Sequence, residues 1–226
     1  MNRCLLNEIF YSECAGCSTT IEPGKYLCRQ CLETLPFVAE RCESCGYPLE
    51  ISASYCRNCS SNKFFDYLFI PFWYKGMVKE ALKNLKFRYC FREISFFKYL
   101  TNFIECRADD YDFITPVPSH FLRKFRRFCH PADIIATTIA ERYDKKKVEI
   151  LKRRKYTKYQ WQLKKNMRHV NVRKAFELRE EVKDSKILLV DDIMTTGNTL
   201  NECAKLLKSN GAFGVDCLVL SKGVFI

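Results

Sequence analysis

The chain has 226 residues, of which 47% are hydrophobic and 28% charged, as in an ordinary soluble globular protein with one full core and a small additional module. No apolar run approaches the roughly 20 residues of a membrane-spanning helix, and the first residues lack a secretory signal, so we expect a cytoplasmic protein without a membrane span. The net charge of +12 is unevenly distributed. Residues 1–62 hold 5 Lys/Arg and 7 Asp/Glu, a charge of −2, whereas residues 63–226 hold 33 Lys/Arg and 19 Asp/Glu, a charge of +14.

Four C-x-x-C pairs stand out in the first 62 residues, and each begins 14 residues after the previous one: Cys14/Cys17, Cys28/Cys31, Cys42/Cys45 and Cys56/Cys59. Two cysteines separated by two residues place both thiolates on one side of a tight turn, so each pair supplies half of a tetrahedral site. The four pairs therefore predict two structural Zn²⁺ sites. A redox C-x-x-C occurs once, at a helix start, and iron–sulfur clusters usually use other spacings, so both are less favoured.

The pairing of these cysteines stays open at the level of sequence. Sequential pairing, the simplest partition, joins the first C-x-x-C pair with the second and the third with the fourth. Interleaved pairing joins the first with the third and the second with the fourth. Because so short a segment rarely buries enough apolar surface to fold unaided, we predict a zinc-nucleated module over residues 1–62, followed by a separate domain over residues 63–226.

Alternating strands and helices are predicted for the second domain. Strands are predicted over residues 67–74, 112–118, 148–151, 186–190 and 214–220, and helices over 76–88, 131–143 and 199–209. The first of these helices has Val78, Leu82 and Leu85 on one face, and its lysines are expected on the other. Such alternation predicts an α/β domain with a mostly parallel sheet covered on both faces.

The stretch V-D-D-I-M-T-T-G-N-T over residues 190–199 places two acids and a hydroxyl-rich turn after an apolar strand. In a parallel sheet ligands bind beyond the carboxyl ends of the strands, and the amides at a helix start favour an anion such as phosphate. The acids would repel phosphate, but they suit sugar hydroxyls or a bridging Mg²⁺. A ribose 5-phosphate fits this combination.

This stretch resembles the phosphoribosyl pyrophosphate (PRPP) signature of type I phosphoribosyltransferases. With the cysteine-rich segment before it, the chain is similar to the ComF family of competence and DNA-utilisation proteins, and further matching stretches lie at residues 74–88, 116–118, 154–163 and 168–176. The resemblance implies an α/β, parallel-sheet type I phosphoribosyltransferase fold preceded by a small Cys4 double zinc ribbon. One departure is R-R-F-C-H at residues 126–130, where the family usually has R-G-F-N-Q.

The resemblance also implies a PRPP site with bound Mg²⁺. Asp191 and Asp192 would hold the ribose 2′- and 3′-hydroxyls. The 5-phosphate would lie in the turn of Thr195, Thr196, Gly197, Asn198 and Thr199, and the pyrophosphate would contact the loop of Val117, Pro118 and Ser119. No motif identifies an acceptor or a catalytic residue.

Basic and aromatic residues interleave over residues 121–174, which hold 18 Lys/Arg and 4 Asp/Glu. Cations neutralise phosphates and aromatic faces stack on bases, a combination used for single-stranded nucleic acid. The candidate nucleic-acid residues are Arg123, Arg126, Arg127, Arg153, Arg154, Lys155, Tyr159 and Trp161. The same composition also fits buried aromatics with a solvated basic face, or a basic rim that attracts anionic PRPP.

Three functional hypotheses follow. The family resemblance favours a PRPP-binding protein in the uptake and handling of single-stranded DNA during natural transformation, with competence-machinery proteins as further partners. The second is an active phosphoribosyltransferase acting on a small acceptor. The third is a zinc-nucleated adaptor whose PRPP pocket is vestigial or regulatory.

Overall fold

The structure is a computed structural model that describes residues 12–49, 54–56, 63–87, 91–106, 110–118, 130–153 and 175–223. The strands in these ranges are β1 (Ser12–Glu13), β2 (Thr20–Ile21), β3 (Leu68–Phe69), β4 (Phe72–Trp73), β5 (Phe113–Pro116), β6 (Leu151–Arg153), β7 (Phe176–Leu178), β8 (Lys186–Met194) and β9 (Gly214–Lys222). The helices are α1 (Arg29–Glu33), α2 (Gly76–Phe87), α3 (Phe91–Leu100), α4 (Pro131–Arg142) and α5 (Asn198–Ser209), with a 3₁₀ turn over Thr101–Phe103. None of the helices in this part of the chain is both long and apolar enough to cross a bilayer.

A parallel five-stranded sheet forms the centre of the larger domain. Its order is β3–β9–β8–β5, and β4 continues along the same edge of β9 as β3. Strands β8 and β9 are interior, and the four residues from Ile187 to Val190 are all 0% exposed, as expected for a parallel strand covered on both faces. The predicted parallel α/β fold is confirmed.

The side chains of β8 alternate between two hydrophobic clusters, because successive residues of a strand face opposite sides of the sheet. Leu188 and Val190 belong to a cluster with residues of α2, α3 and α4. Ile187 and Leu189 belong to a second cluster with residues of α5, β6 and β7. The residues of β8 that follow Val190 therefore alternate between the same two sides, one covered by α2–α4 and the other by α5.

Several predicted elements differ from those observed. The predicted strand over residues 67–74 is divided into β3 and β4 at Pro71, because proline has no N–H to donate to a sheet. The carbonyl of Pro71 instead accepts a hydrogen bond from the N–H of Val38 at 2.8 Å. The strand predicted over residues 148–151 begins later, as β6, and pairs antiparallel with β7 in a separate sheet. Helix α3 and strand β7 have no predicted counterpart. The three predicted helices are found with bounds within one residue.

Aromatic rings join the cysteine-rich module, residues 12–49 and 54–56 of the described part, to the larger domain. Tyr26 lies 5.1 Å from Tyr99, and Tyr99 meets Phe103 at 5.5 Å between ring centres. Phe37 lies 5.3 Å from Phe103 and 5.1 Å from Phe72 of β4. The cluster on the α2–α4 face includes Phe72 together with Leu27 and Leu35 of the module, and Tyr26, Tyr99 and Phe103 pack against it, so the module is packed onto the domain through a shared core.

A second junction uses the backbone of β3. The N–H of Leu68 donates to the carbonyl of Cys45 at 3.1 Å. Gly46 has φ +69°, and a Cβ placed there would lie 2.1 Å from the carbonyl oxygen of Leu68, so no residue with a side chain fits. The loop that carries Cys45 therefore borders the edge of the central sheet directly.

Candidate functional site

The segments predicted to bind PRPP meet at the carboxyl ends of β5 and β8. Val117 directly follows β5, and its N–H donates to the carbonyl of Val190 at 2.7 Å. Val190 immediately precedes Asp191, so the loop of Val117 and Pro118 lies beside the start of the two acids. Ser119 lies outside the described residues.

The acid pair, Asp191 and Asp192, lies inside β8 rather than in the turn after it. The predicted strand ends at Val190, but β9 continues to Lys222 and pairs there with Met194, so β8 is four residues longer than predicted. The alternation of the strand then directs Asp192 toward α2, where Lys86 contacts it, and Asp191 toward the face that α5 covers.

Lys86, in the last turn of α2, contacts the Asp192 carboxylate with its ammonium group, and the two side chains are only 14% and 18% exposed. The N–H of Asp192 in turn donates to Oδ1 of Asp191 at 2.8 Å, so the three residues form one unit. The expectation that the lysines of this helix lie on its outer face is wrong for Lys86. It follows Leu82 by four residues and Val78 by eight, which places it on the buried stripe, and this spacing is the sequence signal that could have identified it.

The charges of this unit depend on burial and on Lys86. Burial raises the pKa of Asp191 well above its usual value, and the neighbouring charge of Asp192 raises it further. Burial also raises the pKa of Asp192, but the charge and hydrogen bond of Lys86 outweigh that effect, so this pKa lies below its usual value. Asp192 is therefore the ionised partner of Lys86, whereas Asp191 holds a proton more readily.

The phosphate turn, residues 195–199, has the geometry of an anion site. Gly197 has φ +80° and directly precedes α5, and Thr195, Thr196 and Asn198 are exposed to solvent. Thr196 Oγ1 accepts a long hydrogen bond of 3.5 Å from the N–H of Asn198. The first amides of a helix have no partner within it, and the helix dipole adds positive potential at the same place. The turn can therefore receive a phosphate from the solvent side.

A second lysine outside the predicted site lies beneath this turn. Lys222, the last residue of β9, is 4% exposed, and its ammonium donates to the carbonyls of Thr195 at 2.9 Å and Gly223 at 3.0 Å. The same ammonium lies 5.8 Å from the centre of the Tyr47 ring in the cysteine-rich module. Lys222 thus fixes the first residue of the turn and places a positive charge behind it. Its position after an apolar strand is too general a signal to have identified it.

The cysteines are grouped sequentially. In each group the Sγ atoms lie within 4.8 Å of one another: Cys14, Cys17, Cys28 and Cys31 form the first, and Cys42, Cys45 and Cys56 the second. The Sγ atoms of Cys17 and Cys28 are 3.7 Å apart and those of Cys45 and Cys56 are 3.6 Å apart. Thiolates about 2.3 Å from a tetrahedral ion lie about 3.8 Å from each other, so the described groups fit zinc and not disulfides. Cys59 lies outside the described residues.

Of the candidate nucleic-acid residues, Arg153 belongs to the described part of the chain. The others lie outside it: Arg123, Arg126, Arg127, Arg154, Lys155, Tyr159 and Trp161. Arg153 ends β6 and is partly buried, with its guanidinium carbon 5.4 Å from the centre of the Phe176 ring in β7. This cation–π contact stabilises the two-stranded sheet.

Comparison with known proteins identifies both parts of the chain. A family model described as "Double zinc ribbon domain" matches residues 5–60, and one described as "Phosphoribosyl transferase domain" matches residues 130–223. Competence protein F of Haemophilus influenzae is 30% identical over 219 residues, which cover 90% of this chain and 94% of that protein. The chain belongs to the ComF family.

Other ComF-related proteins match over a shorter region. DNA utilization protein YhgH is 32% identical over 115 residues in Escherichia coli O6:H1 and 31% identical in Escherichia coli K12, and each alignment covers 49% of both chains. The double zinc ribbon before a phosphoribosyltransferase domain confirms the predicted fold class. The domain boundary between residues 62 and 63 stays a prediction.

Solved structures with similar backbones include an enzyme of purine biosynthesis and a purine phosphoribosyltransferase. The allosteric regulatory enzyme of purine biosynthesis has 20% identity and a TM-score of 0.38, covering 64% of this chain and 26% of that one. Purine phosphoribosyltransferase from Pyrococcus horikoshii Ot3 has 15% identity and a TM-score of 0.35, covering 57% of this chain and 72% of that one.

Proposed function

We propose that this ComF-family protein binds PRPP with Mg²⁺ at the carboxyl edge of its sheet, and that it acts in the cytoplasm in the uptake and handling of single-stranded DNA during natural transformation. One observation carries the proposal: the exposed phosphate turn, the acid pair and the loop of Val117 meet at one edge of the sheet. The names of the relatives, competence protein F and DNA utilization protein, support the biological process. Proteins of the competence machinery are further proposed partners.

In this proposal each part of the edge binds one part of PRPP. The hydroxyls and amides of the phosphate turn hold the 5-phosphate. Asp191 and Asp192 accept hydrogen bonds from the ribose hydroxyls, and Val117, Pro118 and Ser119 line the pyrophosphate side, where Mg²⁺ would bind between phosphate oxygens.

We also propose that each cysteine group holds one structural zinc ion, with Cys59 as the fourth ligand of the second group. The spacing of the described Sγ atoms supports this assignment. The ammonium of Lys63 lies 3.3 Å from Sγ of Cys45 and 3.8 Å from Sγ of Cys56. It would offset part of the negative charge of four thiolates around one Zn²⁺.

Calorimetric titration with PRPP and MgCl₂ tests the site. The wild-type protein is expected to bind, and Gly197→Ala should weaken binding about 5- to 30-fold, because alanine relaxes out of the left-handed conformation in the free protein and binding must restore it at a cost of about 1–2 kcal/mol. Gly24→Ala is the matched control: Gly24 has φ +83° and open space around an added Cβ, so it carries a similar backbone cost away from the turn. Absence of binding by the wild type, or an equal loss of affinity in both variants, would contradict the proposal.

Repeating the titration with a single-stranded oligonucleotide tests the DNA part of the proposal. We expect salt-dependent binding that is tighter for single than for double strands, and weaker when Arg153, Arg154 and Lys155 are all changed to alanine. The control is a second triple alanine variant with the same loss of charge, in which three exposed lysines of α2 and α3 are replaced: Lys79, Lys83 and Lys98. If both triple variants bind the oligonucleotide equally, residues 153–155 are not part of the interface.

The alternative function is transfer of the phosphoribosyl group to a small acceptor, which the complete PRPP motif favours. It predicts Mg²⁺-dependent release of pyrophosphate when a suitable nucleobase or amine is supplied. A protein that only binds PRPP would leave it intact with every acceptor.

A further inference from the structure

Lys86 provides a cation to the acid pair from a part of the chain that carries none of the predicted site residues. It belongs to α2, which lies between the two regions that the family models match. Its ammonium nevertheless contacts the carboxylate of Asp192, at the sheet edge where the ribose would bind.

The packing of α2 fixes this approach. Val78, Leu82 and Leu85 are at most 2% exposed and share a cluster with Val190, the residue directly before the acid pair. Lys86 continues the buried stripe of the helix to Asp192 in β8. An apolar residue would fill this position at no electrostatic cost, whereas a lysine must be desolvated and needs a charged partner. The lysine at position 86 is therefore explained by its contact with the Asp192 carboxylate and not by packing in the core.

The contact changes what the acid pair can bind. Two adjacent carboxylates without a cation are good ligands for a divalent ion. Here the ammonium of Lys86 already occupies one oxygen of Asp192, and Asp191 is linked to the backbone of Asp192. The carboxylate oxygens that remain can accept hydrogen bonds from hydroxyl groups without a metal ion between them.

We propose that Lys86 is a positioning residue of the ribose site, which holds the Asp192 carboxylate in place for the sugar hydroxyls and keeps free divalent cations out of the acid pair. The proposal rests on the proposed PRPP site and concerns how that site selects a ribose phosphate over a bare metal ion. On this basis Mg²⁺ enters with the pyrophosphate of PRPP.

Two probes test the proposal on the full, zinc-loaded chain: ribose 5-phosphate by calorimetry in buffer without added divalent ions, and Mn²⁺ alone by electron paramagnetic resonance. Lys86→Gln and Lys86→Met should each bind ribose 5-phosphate about tenfold or more weakly, because a charged carboxylate loses its partner, and should gain a Mn²⁺ site. Lys86→Arg should restore both wild-type results. Lys83→Gln is the control with the same charge change, since Lys83 lies on the same helix but on its exposed face, beside Glu80.

The outcomes separate this proposal from the proposed function. If the wild type does not bind ribose 5-phosphate, the sugar-phosphate site itself fails, and the Mn²⁺ titration still decides whether Lys86 excludes cations. If the neutral Lys86 variants bind both probes as Lys83→Gln does, the role of Lys86 is overturned while the site stands. Weaker ribose 5-phosphate binding without any gain of Mn²⁺, in variants that unfold at the wild-type temperature, would also overturn the exclusion of cations.

Discussion

Replacing both acids, Asp191→Asn together with Asp192→Asn, is expected to weaken PRPP binding about 30-fold or more, because a hydrogen bond to the ionised Asp192 is lost at about 1.5–3 kcal/mol and one to Asp191 at about 0.5–1.5 kcal/mol. The single variants should differ. Asp191 has a raised pKa and holds a proton readily, so Asp191→Asn should cost less affinity than Asp192→Asn, which also leaves the buried ammonium of Lys86 without its partner. Calorimetric titration with PRPP and MgCl₂ measures all three.

The matched control for the double variant is Glu180→Gln with Glu181→Gln. These two acids are also adjacent and are exposed to solvent, and their replacement changes the net charge by the same amount. The control should keep wild-type affinity for PRPP. A double aspartate variant that binds as tightly as this control would remove the acid pair from the proposed site.

Cys14→Ala is expected to remove one of two zinc equivalents and to lower the melting temperature by about 10 °C or more, since loss of a structural ion of this kind removes several kcal/mol of folding energy. Cys14 is 0% exposed and belongs to the same hydrophobic cluster as Phe72 of β4 and Leu82 of α2. Collapse of the first cysteine group should therefore reach the core of the larger domain. Elemental analysis and thermal unfolding measure the two effects.

Cys106→Ala separates loss of metal from loss of packing. Cys106 is 8% exposed, lies in the same cluster as Cys14 and belongs to neither cysteine group. Its replacement should lower the melting temperature by only a few degrees, about 1 kcal/mol, and leave two zinc equivalents in place. A Cys14→Ala protein that still holds two zinc ions would contradict the assignment of the first site.

The features that could be predicted from the sequence are those encoded by neighbouring residues. Helices α2, α4 and α5 follow from apolar residues at helical spacing, and the interior position of β8 follows from its unbroken apolar run. The phosphate turn is likewise a short contiguous motif, and Gly197 at its helix start has the positive φ that such a turn requires.

The features that could not be predicted depend on contacts between distant parts of the chain. The acid pair lies within β8 because β9 extends to pair with Met194, which no local pattern indicates. The sequential grouping of the cysteines and the burial of Lys222 likewise depend on how separate segments are packed. Lys86 is an intermediate case, because its place on the apolar stripe was visible in the sequence but its partner was not.

The position of Lys222 has a practical consequence for ligand measurements. Tyr47 covers this side chain from within the first 62 residues, and Gly46 borders β3 from the same loop. In a truncated protein beginning at residue 63, the ammonium group of Lys222, which donates to the carbonyl of Thr195, would be exposed to water. Ligand binding should therefore be measured on the intact chain rather than on this fragment. Removal of zinc from the second cysteine group should loosen the packing of the phosphate turn.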